Sequence, residues 1–162
     1  MFREANASDA PAIATLHRVS REAAMPWLPV IHSPDEVLEF FRDQVLPGQT
    51  VIVADTLGQV TGFAAYADGW LNHLYVAPNA WRDGIGSQLL RRVQAASDVL
   101  QLWTFQRNST ARAFYARFGF EEVELTDGQR NEEKTSDVRM IWRRTSRPQI
   151  SVSNSSSTGP VM

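Results

Sequence analysis

Apolar residues along the chain recur at two spacings, one typical of strands and the other of helices. Short apolar or alternating runs bounded by turn residues predict strands at residues 1–5, 50–55, 60–66, 70–76, 100–105, 120–125 and 138–142. Apolar residues three and four apart predict helices that begin near Ser8 or Asp9, at Pro34, at Gly84 and at Ser109. The resulting order, β-α-α-β-β-β-α-β-α-β-β, predicts a mixed α/β layer architecture.

Polar residues at the predicted helix starts can satisfy the unpaired backbone N–H groups there. Ser8 or Asp9 can cap the first helix. Ser33 is followed by Glu36 at the spacing of a capping box. Gly119 lies beyond the last predicted helix, where a glycine commonly ends a helix.

The composition is that of a soluble globular protein, and it excludes several classes of site. The 162 residues include 16 Lys and Arg against 18 Asp and Glu, a formal charge of −2, which disfavours nucleic-acid binding driven by net charge. The chain has no cysteine, so disulfides, thiolate metal sites and a cysteine nucleophile are excluded, and no metal site is predicted. A polar start and the lack of an apolar run of about 18 residues predict a cytoplasmic protein with no membrane association.

The end of the chain differs in composition from the rest. Residues 145–162 are rich in Ser, Thr, Pro and Gly and contain no acidic residue. Such a segment cannot bury enough apolar surface to offset its chain entropy. We therefore expect one folded domain at residues 1–144 and a disordered Ser-rich tail at 145–162.

A glycine-rich loop follows the predicted strand at 70–76. Gly84 and Gly86 open a helix whose unpaired N–H groups and partial positive charge suit a phosphate, and Arg82 adds a cation. The loop lacks the Lys-Ser/Thr pair of a nucleotide-binding P-loop, and Leu89 stands where a dinucleotide fingerprint needs glycine. By itself the loop is either an anion site or a tight turn that packs a helix closely on a strand.

A second motif begins at Asn108, which can close the preceding strand and hydrogen-bond a ligand. Phe114, Tyr115 and Phe118 follow at helical spacing. Such an aromatic stripe is more often core than site. Tyr115 stands out because its hydroxyl needs a polar partner if it is buried.

Together the two motifs resemble the GNAT N-acetyltransferase superfamily, and the resemblance covers nearly all of residues 1–144. FREANASDAPAIATL is similar to the family's opening strand and helix, LYVAP to its central strand, and NxxARxFYxxxGF to its later segment. The loop matches the acetyl-CoA signature [RQ]-x-x-G-x-[GA] at Gly84 and Gly86, with Trp81 in place of Arg or Gln. The implied fold is α/β (α+β), a mixed β-sheet with splayed central strands and helices on both faces.

The resemblance implies that acetyl-CoA is the co-substrate and lies between the strands at 70–76 and 100–105. Its pantetheine arm would pair with the backbone at Leu74 and Val76, as an added strand does, and the Val76 amide would face the thioester oxygen. The implied cofactor-binding residues are Leu74, Tyr75, Val76, Trp81, Arg82, Asp83, Gly84, Ile85, Gly86, Ser87, Asn108, Ala111 and Tyr115.

The same resemblance implies candidate catalytic residues. Tyr115 would donate a proton to the leaving thiolate. His73 or Asn72 would lie near the acetyl group, and His73 has the side chain of a base that acts directly or through water. Strand alternation places these two on opposite faces, and a bulge would exchange them. His73 is equally readable as a packing residue. Since the chain lacks cysteine, direct transfer in a ternary complex is favoured.

The acceptor is the least defined partner. Trp27, Leu28, Tyr66 and Trp70 predict an apolar wall of the acceptor site or, equally, a cap of the core. A small-molecule or amino-acid-like amine is the first expectation, and a protein N-terminus or lysine is the second. The resemblance also implies that the chain can form a homodimer that pairs through its late strands. An alternative function is an inactive CoA-binding sensor or interaction module; a nucleotide-binding enzyme built on the glycine loop is a third.

Overall fold

The computed structural model describes residues 1–145, which form two compact units, Met1–Val93 and a second that starts at Gln94. Strands and helices occur in the predicted order, except that the predicted second helix is divided into α2, a π-helical turn and a short α3, and the α/β class is confirmed. Apart from Thr145, the tail predicted at residues 145–162 lies outside the described residues. The elements are β1 Phe2–Glu4, α1 Ala10–Ala24, α2 Pro34–Phe40, α3 Leu46–Gly48, β2 Thr50–Thr56, β3 Gln59–Ala67, β4 Trp70–Val76, α4 Ile85–Ala95, β5 Val99–Phe105, α5 Ser109–Arg117, β6 Glu121–Thr126 and β7 Asp137–Arg143.

The first unit is built on the antiparallel strands β1, β2, β3 and β4, paired in that order. Two-residue turns connect β2 to β3 at Leu57-Gly58 and β3 to β4 at Asp68-Gly69. All four turn residues have positive φ, between 53° and 87°, which matches hairpin turns whose twist suits the flanking strands. β2 and β3 therefore form a tight hairpin around Leu57 and Gly58.

Helices cover both faces of this sheet. On one face, α1 and the helical stretch from α2 through a π-helical turn at Phe41–Val45 to α3 close over a buried cluster. The buried members of this cluster are Ile13, Ala14, Leu16, Phe41, Val45, Val51, Val53, Phe63 and Ala65. The π-helical turn places Phe41 and Val45 in the core, where both are fully buried.

On the opposite face, α4 packs closely on β3 at Gly62. A Cβ atom at this position would lie 2.9 Å from Ile85 Cγ2, 3.2 Å from Leu89 Cδ1 and 3.3 Å from the Tyr75 carbonyl oxygen. Only glycine allows this approach without displacement of the helix. Gly62 thus sets how closely the start of α4 sits against the sheet.

The first helix is capped one turn earlier than the sequence indicated. Asp9 stands at the N-cap position of α1 but makes no side-chain capping hydrogen bond to it, and Ser8 does not cap it; Asn6 caps a 3₁₀ turn at Ala7–Asp9 that leads into the helix. Asn6 Oδ1 accepts from the Ser8 N–H at 3.0 Å, and Asp9 Oδ2 accepts from the Asn6 N–H at 2.8 Å. The Asp9 carboxylate also binds Arg3 at 2.8 Å, so it is engaged upstream of α1. The capping box of Ser33 and Glu36 is confirmed.

The second unit contains β5, β7 and β6, antiparallel and adjacent in that order. Its buried apolar side chains are Leu100, Leu102, Phe120, Val138, Met140 and Trp142. Helix α5 is tied to β6 by Arg112, whose guanidinium donates to both Glu122 carboxylate oxygens at 2.7 and 2.8 Å. Gly119 follows the helix with φ 90°, which confirms the predicted stop. Within residues 1–145, no helix combines the length and hydropathy needed to cross a membrane.

Candidate functional site

A β-bulge in β4 decides which way Asn72 and His73 point. Ala65 pairs with His73 and Tyr66 pairs with Leu71, so Asn72 is the extra residue on β4. The Asn72 side chain is exposed, and its Nδ2 donates to Gln49 Oε1 at 3.0 Å. His73 instead faces the α1 side of the sheet, where aromatic rings pack against it. Strand alternation alone could not decide which face each of these two residues takes, because that depends on the bulge.

His73 is held among aromatic side chains beside a second histidine. Its ring centroid lies 5.0 Å from Phe41 and 5.9 Å from His17. Burial, and secondly the charge of Arg21, lower the pKa of His73 to about 4. Burial first, then His73 and Arg21, lower the pKa of His17 to about 3. Both imidazoles are therefore uncharged at neutral pH.

His17 was not predicted as a site residue. It lies on the buried face of α1 together with Ile13, Leu16 and Ser20, and this helical spacing is the sequence signal that could have found it. Nothing local in the sequence indicates that its ring meets that of His73, because the two residues belong to different elements.

The edge of β4 that faces away from β3 carries the backbone groups of Leu74 and Val76. The Ala77 N–H donates to the Thr61 carbonyl at 2.8 Å, and Gly62 pairs with Val76. Residue pairs in an antiparallel ladder alternate between those that exchange hydrogen bonds and those that do not. The N–H and C=O groups of Val76, and of Leu74 two residues before, therefore point away from β3.

The Trp81 side chain hydrogen-bonds to one of these groups, the Val76 carbonyl. Its indole Nε1–H donates to the Val76 carbonyl oxygen at 2.8 Å, while 49% of the residue remains exposed. Trp81 follows a 3₁₀ turn at Pro78–Ala80, which brings the chain back past the end of β4. The residue that departs from the family signature thus contacts the strand edge directly.

The loop between Trp81 and α4 is open at its glycine. Gly84 has φ 76°, and a Cβ atom there would meet nothing within 4 Å. The Gln88 N–H donates to the Gly84 carbonyl at 3.1 Å, so the N–H groups of Ile85, Gly86 and Ser87 precede the first such helical bond. Arg82 and Asp83 are exposed. An open glycine, helix-start N–H groups without an intrahelical partner and a guanidinium on the adjacent residues fit a pyrophosphate.

Asn108 and Ala111 lie in the second unit and form a helix cap there. Asn108 Oδ1 accepts from the Ala111 N–H at 3.1 Å, and the Asn108 carbonyl accepts from the Arg112 N–H at 3.1 Å. This capping role explains why an asparagine, whose side-chain oxygen can accept from a helix-start N–H, stands three residues before Ala111. The amide nitrogen on the same side chain is a separate donor for a ligand.

Tyr115 packs within the aromatic stripe of α5. Its half-buried ring lies 5.3 Å from Phe114 and 5.5 Å from Phe120, centroid to centroid. Phe120 continues the stack to Trp142 at 6.4 Å. The stripe is thus partly core, and these ring contacts orient Tyr115.

The four residues predicted to line the acceptor site lie in the first unit and differ in exposure. Leu28 is buried, while Trp27, Tyr66 and Trp70 are half-buried. Tyr66 and Trp70 flank the Asp68-Gly69 turn at the end of β3 and the start of β4. Only these two and Trp27 present side-chain surface to solvent, so Leu28 contributes as part of the core.

Comparisons with known proteins place this geometry in context. The model of the acetyltransferase (GNAT) domain family matches residues 47–122. The peptidyl-lysine N-acetyltransferase YiaC of Escherichia coli is 34% identical over 125 residues, which cover 76% of this chain and 85% of that protein.

Solved structures share the fold at lower sequence identity. The ribosomal-protein-alanine N-acetyltransferase of Brucella melitensis superposes with a TM-score of 0.70 at 23% identity, covering 89% of this chain and 99% of that one. The putative acetyltransferase yncA of Salmonella typhimurium, solved with acetyl-CoA, gives a TM-score of 0.66 at 19% identity and covers 93% and 98% of the two chains.

Proposed function

Because the chain belongs to the GNAT family of N-acetyltransferases, we propose that it moves an acetyl group from acetyl-CoA to an amine by direct attack. Acetyl-CoA is the co-substrate of this family. The observation that carries the proposal is the strand edge at Leu74 and Val76, followed by the open loop at Gly84. The first suits an extended amide chain and the second suits a pyrophosphate.

The cofactor contacts follow from these two features. The backbone of Leu74 and Val76 would pair with the pantetheine amides, and the Val76 N–H would polarise the thioester carbonyl. Arg82 and the N–H groups of residues 84–87 would hold the pyrophosphate. Bound acetyl-CoA supplies an activated acyl group, and the chain's own groups position it.

The reaction balances as follows. The amine nitrogen bonds to the carbonyl carbon, the C–S bond breaks, and its electron pair leaves on sulfur. An ammonium acceptor loses two protons in total; one ends on the CoA thiol and the other goes to solvent. We assign the proton donor for the thiolate to Tyr115, whose phenol is protonated at neutral pH with an ordinary pKa near about 10.

His73 is the candidate acceptor for the proton that leaves during amide formation. Its imidazole is uncharged at neutral pH because burial and Arg21 lower its pKa to about 4. A base this weak is poorly matched to an ammonium ion, but the N–H becomes far more acidic once the nitrogen bonds to the carbonyl carbon. Asn72, exposed beside it and bonded to Gln49, is assigned to acceptor binding.

The relatives do not agree on an acceptor. One is named for peptidyl lysine and another for the alanine of a ribosomal protein. The half-buried Trp27, Tyr66 and Trp70 support an acceptor with apolar surface, so a small amino-acid-like amine, a protein N-terminus and a lysine are the classes to compare.

A second candidate is a CoA-binding module without transfer activity. The observation that favours it is the Trp81 indole on the Val76 carbonyl, at the edge where the pantetheine would pair. Such a module would bind acetyl-CoA with ordinary affinity and release no thiol with any amine.

Calorimetry and thiol release separate these functions. We expect acetyl-CoA to bind and to raise the melting temperature, and an amine panel to release thiol in proportion to acetylated product. Gly86→Trp, which fills space at the helix start, should abolish binding, whereas Gly48→Ala, at a glycine with nothing within 4 Å, should not. No heat and no thermal protection from acetyl-CoA would refute the family-level cofactor role; binding without turnover would favour the module.

A further inference from the structure

Resting on the proposed function, we propose that Gln49 is a positioning residue for the acceptor. It holds the side-chain amide of Asn72 so that Oδ1 of Asn72 receives an N–H group of the incoming amine. Gln49 lies outside the motifs that resemble the family and was not predicted as a site residue. We call Gln49 and Asn72 the amide pair; both belong to the first unit, where one hydrogen bond joins them.

The hydrogen bond within the amide pair decides which end of the Asn72 amide is turned toward Gln49. Nδ2 of Asn72 donates to Gln49 Oε1 at 3.0 Å, although the two residues are 23 positions apart. A side-chain amide carries its donors on nitrogen and its acceptor on oxygen. Because the nitrogen faces Gln49, the oxygen of Asn72 points away from it and takes no part in the bond. Oδ1 is therefore the atom that the pair offers to an N–H group of a ligand.

The backbone of Gln49 is fixed on both sides. Its N–H donates at 2.9 Å to the carbonyl of Val45, a fully buried residue. Immediately after Gln49, Thr50 begins β2 and pairs with Tyr66. Gln49 is also half-buried, whereas Asn72 is exposed. A side chain with less freedom loses less entropy when it makes a bond, so Gln49 is the member that sets where the Asn72 amide lies.

The bulge in β4 makes Asn72 available for this role. Asn72 is the extra residue on β4 and pairs with no residue of β3, and bulges commonly re-aim a side chain beside a functional site. The helical stretch that ends in α3 supplies Phe41, which packs against His73 at 5.0 Å. Gln49 follows this stretch directly. The bond to Gln49 therefore draws the Asn72 amide toward the side of the sheet that His73 faces.

Adjacent residues of β4 then meet two needs of the amine. Oδ1 of Asn72 accepts one N–H and orients the nitrogen, while His73 is the candidate acceptor for the proton that leaves. Donation from Nδ2 to Gln49 polarises the Asn72 amide and makes its oxygen a better acceptor. Since Oδ1 carries no formal charge, it holds an ammonium less strongly than a carboxylate would, so the amine can give up its proton without leaving an ion pair.

Two substitutions of Gln49 test the orientation. Gln49→Met removes the acceptor for Nδ2 and keeps the length of the side chain, whereas Gln49→Glu keeps an oxygen that accepts. We measure KM with saturating acetyl-CoA and the amine that a panel shows to react fastest. An ionic strength of about 0.5 M screens the charge that Glu adds. Gln49→Met should raise KM for the amine about two- to tenfold, the equivalent of one hydrogen bond, and Gln49→Glu should restore it.

Other readouts separate this role from a general loss of structure. The affinity for acetyl-CoA should be the same in both variants, because the amide pair is not among the proposed cofactor contacts. Gln59→Met is the matched control, since Gln59 is an exposed glutamine at the start of β3, beside the Leu57-Gly58 turn. This control should leave KM for the amine in place. An unchanged KM in Gln49→Met, or a Gln49→Glu variant impaired as much as Gln49→Met, would overturn the inference.

A double-mutant cycle shows whether Gln49 acts through Asn72. Asn72→Ala removes Oδ1 and should raise KM for the amine by itself. If Gln49 only orients Asn72, then Gln49→Met should add nothing in the Asn72→Ala background. Effects of the two substitutions that multiply would contradict the positioning role. Turnover of no amine by the unmodified protein would instead refute the proposed function itself.

Nuclear magnetic resonance of the unmodified protein gives a measurement that does not depend on a variant folding. CoA carries no acetyl group, so CoA and the same amine form a complex that cannot react. As the amine binds, the carbon-13 signal of the Asn72 side-chain carbonyl should shift more than that of Gln49, because Oδ1 gains a hydrogen bond while Oε1 keeps the one it has. A larger shift at Gln49, or no shift at Asn72, would overturn the proposal.

Discussion

The Trp81 indole donates a hydrogen bond to the Val76 carbonyl at 2.8 Å, and so joins the start of the glycine loop to the end of β4. The Val76 carbonyl points to the strand edge that faces away from β3. The side chain that replaces the family's Arg or Gln therefore occupies an acceptor that an added strand would use. This contact bears on how tightly the chain holds a pantetheine arm.

Trp81→Phe should strengthen the binding of acetyl-CoA, because the Val76 carbonyl is released while an aromatic ring remains. One hydrogen bond contributes about 0.5–1.5 kcal/mol, so an affinity gain of roughly two- to tenfold is expected from titration calorimetry. Trp103→Phe is the matched control, since Trp103 is similarly exposed at 45% and lies on β5. Weaker binding by Trp81→Phe would instead mean that the indole organises the edge for the ligand.

Gly62→Ala should destabilise the first unit by about 1–3 kcal/mol through overpacking. The added Cβ would lie 2.9 Å from Ile85 Cγ2, a methyl group on a β-branched residue with little freedom to move, and 3.3 Å from a backbone carbonyl. Chemical denaturation measures the change. Gly48→Ala introduces the same methyl group where nothing lies within 4 Å, and an equal loss in both variants would contradict the packing argument.

Tyr115→Phe should lower kcat by about 10²-fold, in the range of a lost general acid, and leave acetyl-CoA affinity within about twofold. The ring contacts with Phe114 and Phe120 survive in the variant, so the helix keeps its packing. Steady-state thiol release together with calorimetry separates the two effects. A normal kcat in a folded variant would remove Tyr115 from the reaction.

Acid should destabilise the protein between about pH 6.5 and pH 4. Burial lowers the pKa of His17 to about 3 and of His73 to about 4 in the folded chain, while the unfolded chain binds protons near about pH 6.5. In this window the unfolded state holds more protons, so stability falls as pH falls, by up to about 1.4 kcal/mol per pH unit for each ring.

Denaturant unfolding at pH 7, 6 and 5 measures this slope. His17→Leu and His73→Leu should each reduce this slope by up to about 1.4 kcal/mol per pH unit, which is the contribution of one proton, because each variant deletes one ring whose pKa is lowered on folding. A stability that does not change across the three pH values would show that both rings charge freely in the folded protein.

Much of this protein could be predicted from local patterns in its sequence. Apolar spacing predicted the order of strands and helices, the Ser33–Glu36 box set the start of α2, and the glycines at 84 and 86 marked the loop that opens α4. These features are readable because each depends on residues within about four positions of one another. Asp9 occupies the N-cap position of α1, but its carboxylate does not cap the helix because it is bound by Asn6 and Arg3.

The tertiary structure decided the features on which the acceptor chemistry depends. Asn72 is a bulge only because β4 pairs with β3 in a particular register, and that register turns His73 inward. His17 meets His73 because α1 packs across β4, and Trp81 reaches Val76 because the loop folds back on the strand. The histidine pair joins positions far apart in the chain, and the Trp81 contact depends on how its loop folds. The periodicity of strands and helices carries no information about either contact, so both were decided by tertiary packing.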